Sequence, residues 1–190
     1  GKLYSWGDNY YGQLGDGKTT NSSMPICISD IENSPLKGKN IVDIYGGSTM
    51  IARDSDGKLY SWGLNSLGEL GDGTTDVSYM PICISNIENS PLNGKNIVKI
   101  YQGHQMVIAK DSNGKLYSWG DNEYGQLGNG TTVNSSMPVC ISDIENSSLK
   151  GKDITEVFNY GSNKIAKDTD GKLHSWGNGI ITESNIPVCI

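Results

Sequence analysis

A single arginine, Arg53, stands in this chain of 190 residues, and Lys+Arg 15 against Asp+Glu 21 leaves no basic excess to neutralise phosphates. Nucleic acid is therefore disfavoured as a main partner. No run approaches the roughly 18 apolar residues of a spanning helix, and no charged-then-apolar segment opens the chain, so no membrane association is expected. The first residue is Gly1 rather than Met, which suggests a processed product or a piece of something longer. The four cysteines contain no Cys-x-x-Cys pair, and His104 and His174 have no cysteine or carboxylate at ligand spacing. Neither a metal nor a cofactor is expected. Helical periodicity is missing too: the one candidate, Ile31 to Leu36, is interrupted by Asn33, Ser34 and Pro35.

What is abundant is glycine, 25 residues of it, with the aromatics spread evenly. That composition points to many short elements and tight turns. The heptapeptide Gly-Lys-Leu-Tyr-Ser-Trp-Gly begins at Gly1, Gly57 and Gly114, and Gly171 opens a variant with His174 in the tyrosine position. Trp6, Trp62, Trp119 and Trp176 keep the same phase, as do Pro25, Pro81, Pro138, Pro187 and Cys27, Cys83, Cys140, Cys189. A fixed period of this length signals a repeat protein. The chain reads as one repeat domain, with units 1–56, 57–113 and 114–170 and a partial unit 171–190.

Each unit alternates β-branched and aromatic residues over five or six positions between Gly, Asn, Asp and Pro clusters, which predicts four short strands. In the first unit these are Leu3 to Trp6, Pro25 to Ser29, Ile41 to Tyr45 and Met50 to Arg53, and Asp54-Ser55-Asp56-Gly57 makes the hairpin into the next unit. The expected fold class is all-β, a β-propeller of four-stranded antiparallel blades. A lone blade cannot bury both faces, so neighbouring blades supply each other's core and the tryptophans are packing residues. The cysteines, each between aliphatic residues, are expected to be buried thiols.

The units carry Leu-Tyr-Ser-Trp-Gly followed by Gly-Gln-Leu-Gly or Gly-Glu-Leu-Gly at Gly12 to Gly15, Gly68 to Gly71 and Gly125 to Gly128. In this pattern, over essentially the whole chain, the sequence resembles the regulator of chromosome condensation repeat family. The resemblance implies a seven-bladed propeller, of which this chain supplies about three and a half blades. It implies that the Ile41 and Met50 strands form an inner pair, so the chain opens on an outer pair alone. Further blades or self-association through a second chain would cover that open edge. The family usually carries Gly-x-x-His before the last strand of a unit; here that position falls near Met50 and at Met106 and Asn163.

Two motifs suggest chemistry and fail on context. Gly12-Gln-Leu-Gly-Asp-Gly17-Lys18-Thr19 fits a phosphate loop but leads into a proline strand rather than a helix, and the equivalent loops lack the lysine. The Asp-Ser-Asp-Gly turn lacks the further acidic ligand of a calcium loop. No nucleophile or acid pair stands out from the repeat, so no enzymatic activity is expected. A meander places Asn9, Tyr10 and Tyr11, Leu67, Glu123 and Tyr124 on one face with Gln102 and His104. This composition suits a contact surface for a protein partner. A carbohydrate-binding surface is the alternative, and repeats serving as spacers in a large surface protein a third. The resemblance also implies regulators, a guanine nucleotide exchange factor or a bacterial β-lactamase inhibitor, although the acidic balance argues against chromatin. High lysine, asparagine and isoleucine with one arginine suggests an AT-rich bacterial genome.

Overall fold

The computed structural model describes residues 1–103, 105–178 and 183–190. The described residues form an all-β chain built outward from a half-blade. Strands β1 (Tyr4–Gly7) and β2 (Ser22–Cys27) pair in a two-stranded sheet. The first full blade is the meander β3 (Ile41–Gly46), β4 (Thr49–Asp54), β5 (Leu59–Gly63) and β6 (Ser78–Cys83). The second is β7 (Ile97–Gln102), β8 (Met106–Asp111), β9 (Leu116–Gly120) and β10 (Ser135–Cys140). The third is β11 (Ile154–Tyr160), β12 (Asn163–Asp168), β13 (Leu173–Asn178) and β14 (Glu183–Cys189). Three and a half blades of antiparallel sheet are thus present, with the tryptophan strand third in each full blade.

Several boundaries differ from the sequence reading. The proline strand starts at Ser22 and ends at Cys27, because Ile28–Asp30 closes into a 3-10 turn. Ile84–Asn86 and Ile141–Asp143 repeat that turn. The turn seats a buried isoleucine and aims a serine at the neighbouring strand: Leu3 N, Leu59 N and Leu116 N donate to Ser29, Ser85 and Ser142 Oγ, each at 2.9 Å. The ladder also corrects the inner strands. Met50, near the family's histidine position, pairs with Trp62, whereas in the next two blades Val107 and Lys164, one residue beyond Met106 and Asn163, stand opposite Trp119 and Trp176. The inner turn is one residue longer in the second and third blades, which moves the phase by one.

The Asp-Ser-Asp-Gly hairpin is organised from within. Asp54 Oδ1 accepts from Asp56 N and Lys58 N at 3.0 and 2.9 Å, and Oδ2 accepts from Tyr60 Oη at 2.8 Å. Burial and the neighbouring carboxylate push the Tyr60 hydroxyl well above its usual range. In the third blade His174 Nε2 takes the tyrosine's place, 3.1 Å from Asp168 Oδ2.

The core lies between blades. Ile51, Leu59 and Ile84 of the first full blade pack with Ile100, Val107 and Trp119 of the second. Met106, Ile108 and Leu127 pack with Val157, Ala166 and Trp176 of the third. Each junction is locked by an indole: Trp62, Trp119 and Trp176 Nε1 donate to Gln13, Glu69 and Gln126 O of the preceding unit, each at 2.9 Å. A Cβ on Gly15, Gly71 or Gly128 would lie 2.8, 2.7 or 2.8 Å from that indole, and φ is +72°, +72° and +74° there. Only glycine meets both conditions.

Trp6 does not pack as expected. It is 61% exposed, and among the described residues no Gly-x-Leu-Gly loop lies N-terminal to it to receive its ring. The cysteines are also less enclosed than their aliphatic neighbours suggest: Cys27, Cys83 and Cys140 are half-buried and Cys189 is exposed. They sit at the end of the outermost strand, which has a neighbouring strand on one side only. Burial, assisted by Asp143, pushes the Cys140 thiol up to about 11, which keeps it un-ionised at neutral pH.

Candidate functional site

Antiparallel order brings the loops 8–21, 64–77 and 121–134 to the same side as the inner turns. Leu64 N donates to Ser48 O and Asp121 N to Gln105 O, each at 2.9 Å, tying the second and third loops to the inner turns of their own blades. Within a loop, Gly12 N donates to Asn9 O at 3.0 Å and Gly15 N to Gly12 O at 2.9 Å, two tight turns in succession. A Cβ on Gly12, Gly68 or Gly125 would fall 2.4, 2.5 or 2.8 Å from Tyr79, Ser136 or Asn185. These glycines therefore let each loop lie on the outer strand of the following blade.

The candidate contact residues separate into two groups. Tyr10 is 72% exposed and meets the half-buried Tyr11 edge to face, with ring centroids 4.8 Å apart. Glu123 and Tyr124 are exposed in the third loop, and Leu67 is half-buried in the second. Gln102 is half-buried and donates to Thr49 O at 3.1 Å, joining two blades. Asn9 lies outside the contact group because it is fully buried. Its Nδ2 donates to Lys18 O and Thr20 O at 3.0 and 3.1 Å, and its Oδ1 accepts from Leu14 N at 3.0 Å. It shapes the loop from below, as Asn65 and Asn122 do in theirs. His104 lies outside the described residues.

Two features were not foreseen from sequence. Between the first and second full blades a cavity of about 370 Å³ is lined by Thr49, Leu64, Glu69, Gln102, Gly103 and Gln105. Glu69 is buried, its Oε2 accepts from Leu67 N at 2.7 Å, and its Oε1 has no partner among the described residues. Burial pushes its carboxyl above the usual range. The second feature is Lys164, whose side chain is fully buried and donates to Gly161 O; burial brings its ammonium down to about 8. Among the described residues no group of three His, Cys, Asp or Glu side chains could hold a metal, and no helix is long and apolar enough to cross a membrane.

Comparison with known proteins agrees with this geometry. The profile of the Regulator of chromosome condensation (RCC1) repeat matches residues 1–52, 56–109 and 113–162, and a second RCC1 repeat profile matches 97–126. The human E3 ubiquitin-protein ligase HERC2 is 31% identical over 93% of this chain, which corresponds to 3% of its own length. The ultraviolet-B receptor UVR8 of Arabidopsis thaliana is 30% identical over 93% of the chain and 37% of its own length. Among solved structures, human WBSCR16 superposes with a TM-score of 0.76 at 21% identity, covering 98% of this chain and 46% of that one. Yeast RCC1 (Prp20), in a structure with Kap60 bound, gives 0.73 at 20% identity, covering 99% and 45%. The chain thus spans under half the length of these propellers and a small part of the relatives. By its repeats, its blade order and the profile matched along it, this chain belongs to the regulator of chromosome condensation repeat family.

Proposed function

We propose that the chain is a non-catalytic scaffold that binds another protein through the loop face carrying Tyr10, Tyr11, Leu67, Glu123 and Tyr124. The observation that carries this reading is the pairing of exposed tyrosines with rigid support. Tyr10 stands in solvent while the buried Asn9 amide and two tight turns fix the backbone beneath it. Amphipathic rings on a pre-ordered backbone bind with little entropy loss. One structural neighbour, yeast Prp20, is seen with a bound protein, Kap60, and has binding properties to Gsp1p and histones, which supports a protein as the partner class.

The test is capture from an extract of the source organism, repeated with the Tyr10→Ala/Tyr124→Ala double variant at unchanged melting temperature. A partner retained by the native chain and weakened at least tenfold by the variant supports the reading. Glycan-array binding abolished by Tyr11→Ala or Tyr124→Ala would replace it with the carbohydrate alternative.

The inner edge of β1, the one away from β2, has no strand beside it among the described residues. Further blades or a second chain would cover it, and light scattering over a concentration series separates the two.

A further inference from the structure

In two of the three Gly-x-Leu-Gly loops, a glutamine closes a hydrogen-bonded ring within its own unit. Gln13 Oε1 accepts from Tyr11 N at 2.9 Å while Nε2 donates to Asp8 Oδ2 at 2.7 Å. Gln126 does the same with Tyr124 N and Asp121 Oδ2, at 2.8 and 2.7 Å. The middle loop changes both ends of the ring. Leu64 stands in the aspartate position and Glu69 in the glutamine position. Glu69 keeps the backbone half through Oε2, but Oε1, which replaces a donor, has nothing to bond among the described residues.

The result is a carboxylate only 1% exposed on the lining of a cavity of about 370 Å³. That volume is roughly a dozen times the share of one liquid water, enough for a long side chain. Ser48, Thr49, Gln102 and Gln105, the other polar side chains of the lining among the described residues, are neutral. The Asp121 carboxylate, which acts on Glu69 through space, is negative like Glu69 itself. An unpaired buried carboxylate is costly, and a cation carrying N–H donors removes both the charge and the missing bond.

We propose that this cavity is a subsite for a cationic side chain, an arginine or lysine of the protein partner, held by Glu69 Oε1. The proposal rests on the loop-face reading and names the chemistry of one contact within it. Protonation and cation binding compete for the same oxygen, so affinity falls as pH is lowered into the raised range where Glu69 takes up a proton.

The probe is N-acetyl-arginine methylamide, titrated by amide NMR at pH 7.5 and 5, with the norleucine analogue as the uncharged control. The comparison variant is Leu64→Asp/Glu69→Gln, which installs the closed ring of the sister loops. Expected are saturable shifts at Thr49, Gly103 and Gln105, at least tenfold weaker binding in the double variant, weaker binding at the lower pH, and none with norleucine. Should the double variant lose the native melting transition, Glu69→Gln alone serves, because its amide supplies the donor without the second change. Equal shifts in native and variant proteins, or no saturable shift below roughly 10 mM probe, overturn the proposal. If a partner captured through Tyr10 and Tyr124 binds the double variant undiminished, the subsite fails and the loop-face reading stands. Probe binding that depends on Glu69 while the tyrosine variants change nothing leaves the subsite and removes that reading.

Discussion

The same five letters, Leu-Tyr-Ser-Trp-Gly, occur at residues 3–7, 59–63 and 116–120, and they meet two different environments. In β5 and β9 every one of these residues is buried, whereas in β1 Tyr4 and Trp6 are exposed. The inner strands show the same contrast: Ile44 is 43% exposed while its counterparts Ile100 and Val157 are 1% and 8%. Sequence, local backbone and turn chemistry are shared, so the neighbouring blade alone makes the difference. Burial here belongs to the interface between units, which is how a repeat array derives its stability.

The strongest way to break this comparison is to empty an interior junction. Trp119→Ala removes a fully buried indole and its hydrogen bond to Glu69 O. We expect a loss of about 4 kcal/mol in urea denaturation, the size typical of a large core truncation. A loss under about 1 kcal/mol would mean that the junctions do not hold the array together.

The socket side gives the next largest effect. Gly71→Ala places a methyl against the Trp119 ring at a φ of +72°, so steric and backbone strain add. Gly94→Ala has the same φ of +72° with open space around it and isolates the backbone part. Gly71→Ala should cost about 2–3 kcal/mol and Gly94→Ala about 1, read from the same melts. Equal values would deny that the glycine exists for the indole.

Much of this was legible in the sequence. A fixed tryptophan phase with a Gly-x-Leu-Gly partner prescribes blade packing, and Asp-Gly turns prescribe the hairpins. Exposure of Trp6 was not legible, since nothing in its own segment differs from Trp62. In the four letters that open each loop, Asp8 to Tyr11, Leu64 to Leu67 and Asp121 to Tyr124, the one constant letter is Asn at 9, 65 and 122; it marks the buried organiser, while the changing letters are half-buried or exposed. The exchange of Asp8 and Gln13 for Leu64 and Glu69 is visible as letters, yet it means something only once geometry shows that the first pair bond each other. The phase of Lys164 was lost for a smaller reason, the one-residue lengthening of an inner turn.

Lys164 sharpens the comparison between blades. It lies opposite Trp176 where the first full blade has Met50 opposite Trp62, so one junction carries a buried ammonium in place of an apolar chain. Burial lowers its folded-state value to about 8, below the ordinary lysine value of 10.5 that the unfolded chain keeps. Between those values the unfolded state binds more protons, so stability rises with pH across that window, and below it the penalty is fully present. Lys164→Met should stabilise the fold by about 2 kcal/mol at pH 7 and flatten the rise between pH 8 and 10.5. A variant melting lower at pH 7, or keeping the slope, would show that the ammonium is satisfied where it sits.

The smallest expected effect is the most discriminating. Trp6→Ala should change stability by no more than about 0.5 kcal/mol, because the exposed ring has little burial to lose. Acrylamide should quench the Trp6 share of the fluorescence and spare Trp62, Trp119 and Trp176, and Trp6→Phe should abolish the quenchable fraction. The ring is a plug whose socket must come from a Gly-x-Leu-Gly loop, and the fourth unit, from Gly171 onward, carries no such motif. A second copy stacked head to tail therefore brings no such motif to Trp6, whereas a blade with that loop does. Protection of Trp6 that grows with protein concentration would contradict this and point to a second copy as the cover of the β1 edge.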